Sequence, residues 1–280
     1  MTEEMRKNAG GKTSRAPSML IDSACGCSYN APMRVLRVLV FTRREIFHKF
    51  ATFAAPWLEV ELADEGAAGE YLPRLHEYAG VFLRSKNEAL LRALSGFADT
   101  PLLDPPAAVE GALDRHRVST LAAAAGVPVP EELLAGKRAP WPVVVKNRID
   151  RGDNRVRLLA PAVWNRGGHT YGQRFIKSEW EYKVYLFGPA VFTFRQRPTL
   201  FFPDKLATRE PVAPDPELVR LARAAAKAAG LSVASLDFLQ EEGRYLLTDC
   251  NPTPGLQHLP GGYAAVLPEL LHYLDRGGRW

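Results

Sequence analysis

Two acids and an amide occupy positions from which they could hold a metal ion. In Ser235-Leu-Asp-Phe-Leu-Gln-Glu-Glu-Gly-Arg-Tyr-Leu-Leu-Thr-Asp-Cys-Asn251, the stretch Glu241-Glu242-Gly243 reads as the turn of a hairpin. Pairing symmetric about Gly243 sets Asp237 opposite Asp249, and the two-residue period of a strand puts Asn251 on the same face. Facing residues on antiparallel strands hold their Cβ atoms roughly 4.5–5.5 Å apart, and like charges there repel, so the pair requires a positive partner. Asp237, Asp249 and Asn251 offer hard oxygen donors, which is the chemistry of Mg²⁺ held together with phosphates. A solvated sheet face without metal is the alternative, because a one-residue slip would turn one carboxylate away. The stiff exit Asn251-Pro-Thr-Pro-Gly255 favours the metal, since it fixes the carboxamide beside the acids.

The elements that must position these groups follow from the hydrophobic pattern. Residues 1–32 are rich in Gly, Ser, Ala, Asn and Lys without helical or strand period, and read as a disordered extension, with Met33 a possible native start. From 34 to about 130, short apolar strands (Val35–Phe41, Leu58–Leu62, Val81–Arg84, Leu102–Leu103) alternate with helical stretches around Glu70–Tyr78, Glu88–Gly96 and Asp114–Ala125, the pattern of a βαβ layer. Beyond 140 the strands Pro142–Lys146, Val156–Leu159, Gln173–Ile176, Glu181–Phe187, Val191–Arg197, Ser235–Gln240 and Tyr245–Asn251 read as mostly antiparallel. One helix interrupts them, with Asp215 as cap, Pro216 in the first turn, an apolar face of Leu218, Leu221, Ala222 and Ala225, and Gly230 at its end. A last helix is expected over Tyr263–Leu274. The expected fold class is α+β: an N-terminal α/β domain over 33–110, then antiparallel subdomains over 111–280 that divide near 180.

Composition narrows the class of protein. At 280 residues and 46% hydrophobic the chain can bury a sizeable core, and three cysteines (Cys25, Cys27, Cys250) are too few and too odd for a disulfide framework. No apolar run reaches the ~18–20 residues of a bilayer span, and the N-terminus lacks a signal peptide's apolar stretch. A cytoplasmic protein working without membrane or nucleic acid is the expectation. Of the net charge of +5, residues 1–33 contribute +1, so the basic surplus belongs to the rest. It concentrates at 146–157, where Lys146, Arg148, Arg151, Arg155 and Arg157 outnumber Asp150 and Asp153 around Gly152, a loop suited to anions. Gly10-Gly-Lys-Thr13 is no phosphate loop, because Arg6 stands where its first glycine belongs. Cys25-Gly-Cys27 alone is too small a set for structural zinc.

The hairpin, taken with the motifs before it, resembles the ATP-grasp superfamily, whose last hairpin carries an acid, a second acid about a dozen residues on, then x-Asn and a Pro-Gly turn. Asp237, Asp249, Asn251 and Gly255 fall at those places. Asp114-Arg115 with Ala125-Gly-Val-Pro-Val-Pro130 resembles the approach to the nucleotide region, and Pro142-Val-Val-Val-Lys146 the strand bearing the phosphate-binding lysine. Gln173-Arg-Phe-Ile176 is similar to the hinge whose backbone meets adenine, and Lys183-Val-Tyr-Leu-Phe-Gly188 to the strand after it. The resemblance spans roughly residues 98–256. It implies an ATP-grasp fold, ATP and Mg²⁺ as cofactors, Arg115, Lys146, Gln173, Phe175 and Ile176 as nucleotide-binding residues, Asp237, Asp249 and Asn251 as metal ligands, and Lys183, Arg195 and Arg197 as catalytic groups. Two branches share these features. RimK-type carboxylate-amine ligases show the Ala-Gly-Val-Pro-Val-Pro turn, whereas ATP-grasp inositol polyphosphate kinases show patterns like Lys146-Asn-Arg-Ile-Asp-Arg-Gly-Asp-Asn154 and Arg197-Pro-Thr-Leu200. The implied acceptor is a small molecule or peptide, anionic in character, which Arg43, Arg44 and Lys86 could contact from the first domain. A non-catalytic nucleotide-binding module is the remaining class.

Overall fold

The computed structural model describes residues 36–42, 46–97, 99–133, 139–151, 157–159, 169–198, 200–201, 204 and 206–280. The expected extension 1–32, Met33, Arg43, Arg44, Arg155 and the side chain of Arg157 lie outside the described residues.

The first sheet is parallel and runs β2-β1-β3-β4, from β1 (Leu36–Phe41), β2 (Leu58–Ala63), β3 (Gly80–Leu83) and β4 (Leu102–Leu103). Strand β1 is fully buried from Val38 to Phe41, as its unbroken apolar run requires of a strand covered on both faces. Helix α1 (Ile46–Ala54), which the sequence reading did not include, covers one face through Phe47 and Phe50. The helix expected around Glu70–Tyr78 is instead a single turn, α2 (Ala68–Tyr71), followed by 3₁₀ turns over Leu72–Glu77, where Pro73 has no N–H to continue an α-helix. Helix α3 (Glu88–Leu94) starts on Asn87, whose Oδ1 accepts from Leu90 N at 3.1 Å. Two more helices, α4 (Pro106–Leu113) and α5 (Arg115–Ala124), meet at Asp114, whose Oδ1 accepts from Arg117 N at 3.2 Å.

Two antiparallel sheets follow. The smaller runs β5-β8-β6-β7, from β5 (Glu132–Leu133), β6 (Val143–Asn147), β7 (Arg157–Leu159) and β8 (Thr170–Arg174). Its third segment was expected over Gln173–Ile176. The strand ends at Arg174, and Phe175 leaves it with its N–H donated to Pro142 O at 2.8 Å. The larger sheet runs β11-β10-β9-β12-β13, from β9 (Glu181–Phe187), β10 (Ala190–Gln196), β11 (Glu210–Pro211), β12 (Val233–Glu241) and β13 (Arg244–Asn251). Helix α6 (Pro216–Ala228) is capped by Asp215 and buries Leu218, Leu221, Ala222 and Ala225, as its sequence requires. Those side chains pack with α5 on Val184, Leu186, Leu236 and Phe238. The other sheet face meets Leu256, Leu259, Tyr263 and helix α7 (Leu267–Asp275) through Tyr185, Phe187 and Phe194. The end of α7 lies close to the expected Leu274, but the residues from Gly262 to Ala265 form a 3₁₀ turn. Among the described residues the result is α+β: one parallel α/β layer and two antiparallel sheets. Among the described residues no helix is long and apolar enough to cross a membrane.

Candidate functional site

The hairpin closes through a two-residue turn, Glu242–Gly243, with both residues at positive φ (51° and 78°). Glycine adopts that conformation freely, and the pair supplies the twist that hairpin strands need. From this turn Glu241 pairs with Arg244 and Phe238 with Leu247, a register in which Asp237 would face Thr248. A bulge intervenes. The register shifts between Asp237 and Phe238, Thr248 is the extra residue, and Asp237 comes opposite Asp249 after all. The facing of the two acids is as expected, but a bulge produces it rather than a three-residue turn. Thr248 Oγ1 donates to Asp237 O at 3.0 Å, and Lys146 Nζ donates to Thr248 O at 2.5 Å.

The repulsion between the acids is answered by three cations. On the neighbouring strand β9, Lys183 pairs in register with Asp237 and its ammonium forms an ion pair with Asp237 Oδ1. Arg115 Nε, at the start of α5, donates to Asp249 Oδ1 at 3.0 Å. Burial pushes the Asp249 carboxyl up, but Arg115 and Lys146 outweigh it and hold the group below the usual carboxylate range. Burial pulls Lys183 down, yet Asp237 and Tyr185 more than offset this and leave it above the ordinary lysine value. Lys146 goes the other way: burial wins over the attraction of Asp249 and holds its pKa below the ordinary one.

Above these groups is a cavity of about 340 Å³. It falls in the range of small-molecule sites. Of the expected residues, Arg115, Lys146, Phe175, Ile176, Asp237 and Asp249 line it. Its apolar end adds Val144, Leu239, Pro198, Leu200 and Phe201, and Phe201 stands edge-on to Phe175 at 5.7 Å. Glu181 also lines it, and Glu181 Oε1 accepts from Gln196 Nε2 at 2.5 Å.

The structure places other expected residues elsewhere. Gln173 lines a separate space of about 10 Å³ beside α5 and donates its amide to Glu132 Oε1 at 3.2 Å. Asn251 Oδ1 is taken up by its own turn, accepting from Thr253 N at 3.0 Å, and the side chain does not line the cavity. Arg195 is paired with Tyr182 and Phe194 with Lys183, so strand alternation turns Arg195 to the face away from Asp237. There its guanidinium pairs with Glu210 and lies 4.6 Å from the Trp180 ring centroid. Arg197 stands over the same ring at 4.3 Å and reaches Glu179 Oε1 at 3.0 Å. The two arginines are neighbours as expected, though across the sheet from the acids. A different arginine occupies the acid-bearing face. Arg209 donates to Gln196 Oε1 at 2.8 Å and to Tyr185 OH at 3.4 Å, with Phe194 beneath it.

Among the described residues no group of three or more His, Cys, Asp or Glu side chains could hold a metal ion. The pair Asp237 and Asp249 nevertheless fits Mg²⁺. Two carboxylates facing a cavity are the protein share of a site whose other ligands come from phosphates and water.

No family model and no curated protein matches the sequence. Solved structures do. The D-alanine–D-alanine ligase of Bacillus anthracis, complexed with ATP, superposes at a TM-score of 0.64 with 14% identity, covering 86% of this chain and 98% of that one. The macrocyclase MdnC of Microcystis aeruginosa MRC, bound with the precursor peptide MdnA, gives 0.63 and 14%, covering 85% and 100%. The ATP-grasp ligase PsnB, complexed with a phosphomimetic variant of its minimal precursor, Mg and ADP, gives 0.63 and 16%, covering 90% and 100%. Near-complete coverage of these chains, together with the hairpin, the lysine strand and the cavity between them, establishes that this chain has the ATP-grasp fold.

Proposed function

We propose that the protein is an Mg-ATP-dependent ligase joining a carboxylate to an amine, of the RimK type, with a peptide or small anionic molecule as acceptor. The observation that carries this reading is the bulge that sets Asp237 against Asp249 beneath Lys146, at the charged end of a cavity whose other end is apolar. When bound, Mg-ATP would supply the γ-phosphoryl group, with ADP as leaving group, making the acceptor carboxylate an acyl phosphate from which the attacking amine, losing a proton, would expel inorganic phosphate to form the amide. Such transfer needs charge neutralisation and alignment more than covalent help from the protein. Asp237 and Asp249 would hold the metal, and Lys146 and Arg115, which line the same cavity, would bind phosphate oxygens. Val144, Phe175, Ile176 and Leu239 give the base an apolar slot. Lys183 pairs with Asp237 and orients it. Arg209, held on the acid-bearing face by the neutral groups of Gln196 and Tyr185, is the planar donor for the transferring group. The peptide acceptor is supported by the precursor peptides in the MdnC and PsnB complexes.

The purified chain should release ADP from ATP only with Mg²⁺ and an acceptor, and hydroxylamine should trap the activated carboxylate as a hydroxamate. ADP release with inositol phosphates and no hydroxamate would replace the ligase by the inositol or polyol phosphate kinase. Nucleotide binding with no acceptor-stimulated turnover would leave a binding module.

A further inference from the structure

Lys86 was expected as a contact for an anionic acceptor. Its ammonium is instead turned inward to Asp150 Oδ2, and the two side chains are 15% and 3% exposed. Asp150 lies just after β6, and its other oxygen, Oδ1, sits 3.3 Å from Arg115 Nη2. Arg115 is itself nearly buried and is held on two further sides: Nη1 donates to Asn147 O at 2.9 Å and Nε to Asp249 Oδ1 at 3.0 Å. Charges thus alternate from the end of β3 to the hairpin as Lys86, Asp150, Arg115, Asp249.

We infer that Lys86 is a positioning residue: by matching Asp150, it leaves Arg115 free to hold Asp249 in place. The reason is competition for one guanidinium. Asp150 is buried, and a buried carboxylate must be matched by cations. Lys86 meets one of its oxygens and Arg115 the other, and Arg115 can turn its Nε to Asp249. Without Lys86 a larger share of the demand of Asp150 falls on Arg115, which swings into a two-pronged pair with it and leaves Asp249 misplaced. The nearby pair Arg151–Glu88 also joins the first layer to the end of β6. It cannot substitute, because Arg151 is 70% exposed and such pairs contribute little. The consequence for nucleotide rests on the function proposed above, whereas the placement of Arg115 does not.

Two measurements on the full chain test this, with Lys86→Met and Lys86→Arg as variants. In the first, the Arg115 Nε–H resonance of the nucleotide-free protein is followed. It should be protected from water exchange in the wild type and in Lys86→Arg, and lose protection in Lys86→Met. In the second, Mg-ADP affinity is measured by calorimetry. Partners behind a metal ligand are worth about 10–100-fold in affinity. Lys86→Met should weaken Mg-ADP about tenfold, Lys86→Arg should restore it to within about threefold, and the double variant Lys86→Met/Asp150→Asn, which removes the competitor, should recover most of the loss. An unchanged Arg115 resonance in a folded Lys86→Met protein would overturn the proposal. So would equal loss of affinity in Lys86→Met and Lys86→Arg. A wild type that fails to bind Mg-ADP while its Arg115 resonance responds as stated would uphold the relay and remove the proposed function.

Discussion

Strand β12 meets carboxylates at two places, buried at the first and partly exposed at the second, and the protein treats them in opposite ways. At its start, Asp104 from the end of β4 accepts from Ser232 N at 2.8 Å and Val233 N at 2.9 Å. Burial outweighs those two bonds and the charge of Arg84, and pushes the Asp104 carboxyl up to about 6. Farther along, Asp237 faces Asp249, and there the match comes from ammonium and guanidinium groups that keep Asp249 below the usual range. At Asp104 two backbone N–H groups and the Arg84 guanidinium offset the cost of burial only in part, whereas at Asp249 the cations outweigh it. Asp104 ties the first layer to the large sheet and can tolerate protonation. In the proposed function the hairpin acids cannot, because a metal binds only the ionised form.

The strongest way to break this contrast is to neutralise an acid where the cations are. Asp249→Asn keeps the shape and should lower Mg-dependent ATP turnover by about 10²–10³-fold, the scale of losing one preorganised charged group. Its melting temperature should stay close to that of the wild type, since Arg115 keeps Asp150 as a partner. Undiminished turnover in a folded Asp249→Asn protein would remove the metal assignment.

The second test takes the other end of the strand and reads stability. A folded-state value near 6 against 3.8 unfolded means that folded Asp104 holds its proton more tightly. The resulting stability is fully present below about pH 3.8 and is lost as pH rises through about 6. At about 1.4 kcal/mol per unit the effect is on the order of 3 kcal/mol across that window. Asp114, Asp215 and Glu241, all held below their ordinary values, push stability the opposite way. They cancel when wild type is compared with Asp104→Asn by urea titration. The variant should therefore lack the wild type's relative loss of stability between pH 4 and 6, and parallel curves would refute the assignment.

How far these two carboxylates were legible in the sequence differs for a physical reason. The acid hairpin could be read because its pattern is local: a turn with Gly243, alternating faces and a short span. Even so, the bulge at Thr248 was not foreseen, and the pairing came out right only because a presumed three-residue turn and a two-residue turn with one extra residue reach the same register at Asp237. Asp104 gave no signal, since its partners are backbone N–H groups 128 and 129 residues away. Helix α1 was missed because Phe47, Phe50 and Phe53 suit a strand as well as a helix. Arg209 was missed because its place depends on pairing of Glu210 with Arg195 across the segment from 197 to 209, which no short-range period discloses.

Arg209 and the Trp180 cluster sharpen the contrast at a smaller scale, with cations in place of acids. Arg209→Ala should reduce turnover about tenfold, as expected for a guanidinium at the acid-bearing face with neutral partners. Arg195→Ala and Arg197→Ala should change it less than about threefold. Both side chains are partly exposed, at 41% and 35%, and pair with glutamates exposed at 47% and 68%. Surface ion pairs and exposed cation–π contacts are each worth up to about 1 kcal/mol, which here goes into holding Trp180 rather than into a transferring group. The sharper measurement is therefore the ratio of the Arg209→Ala loss to the Arg195→Ala loss. A ratio near one would mean that the strand alternation separating the two faces does not separate their roles. A ratio well below one would return catalysis to Arg195 and require β10 to turn over when nucleotide binds.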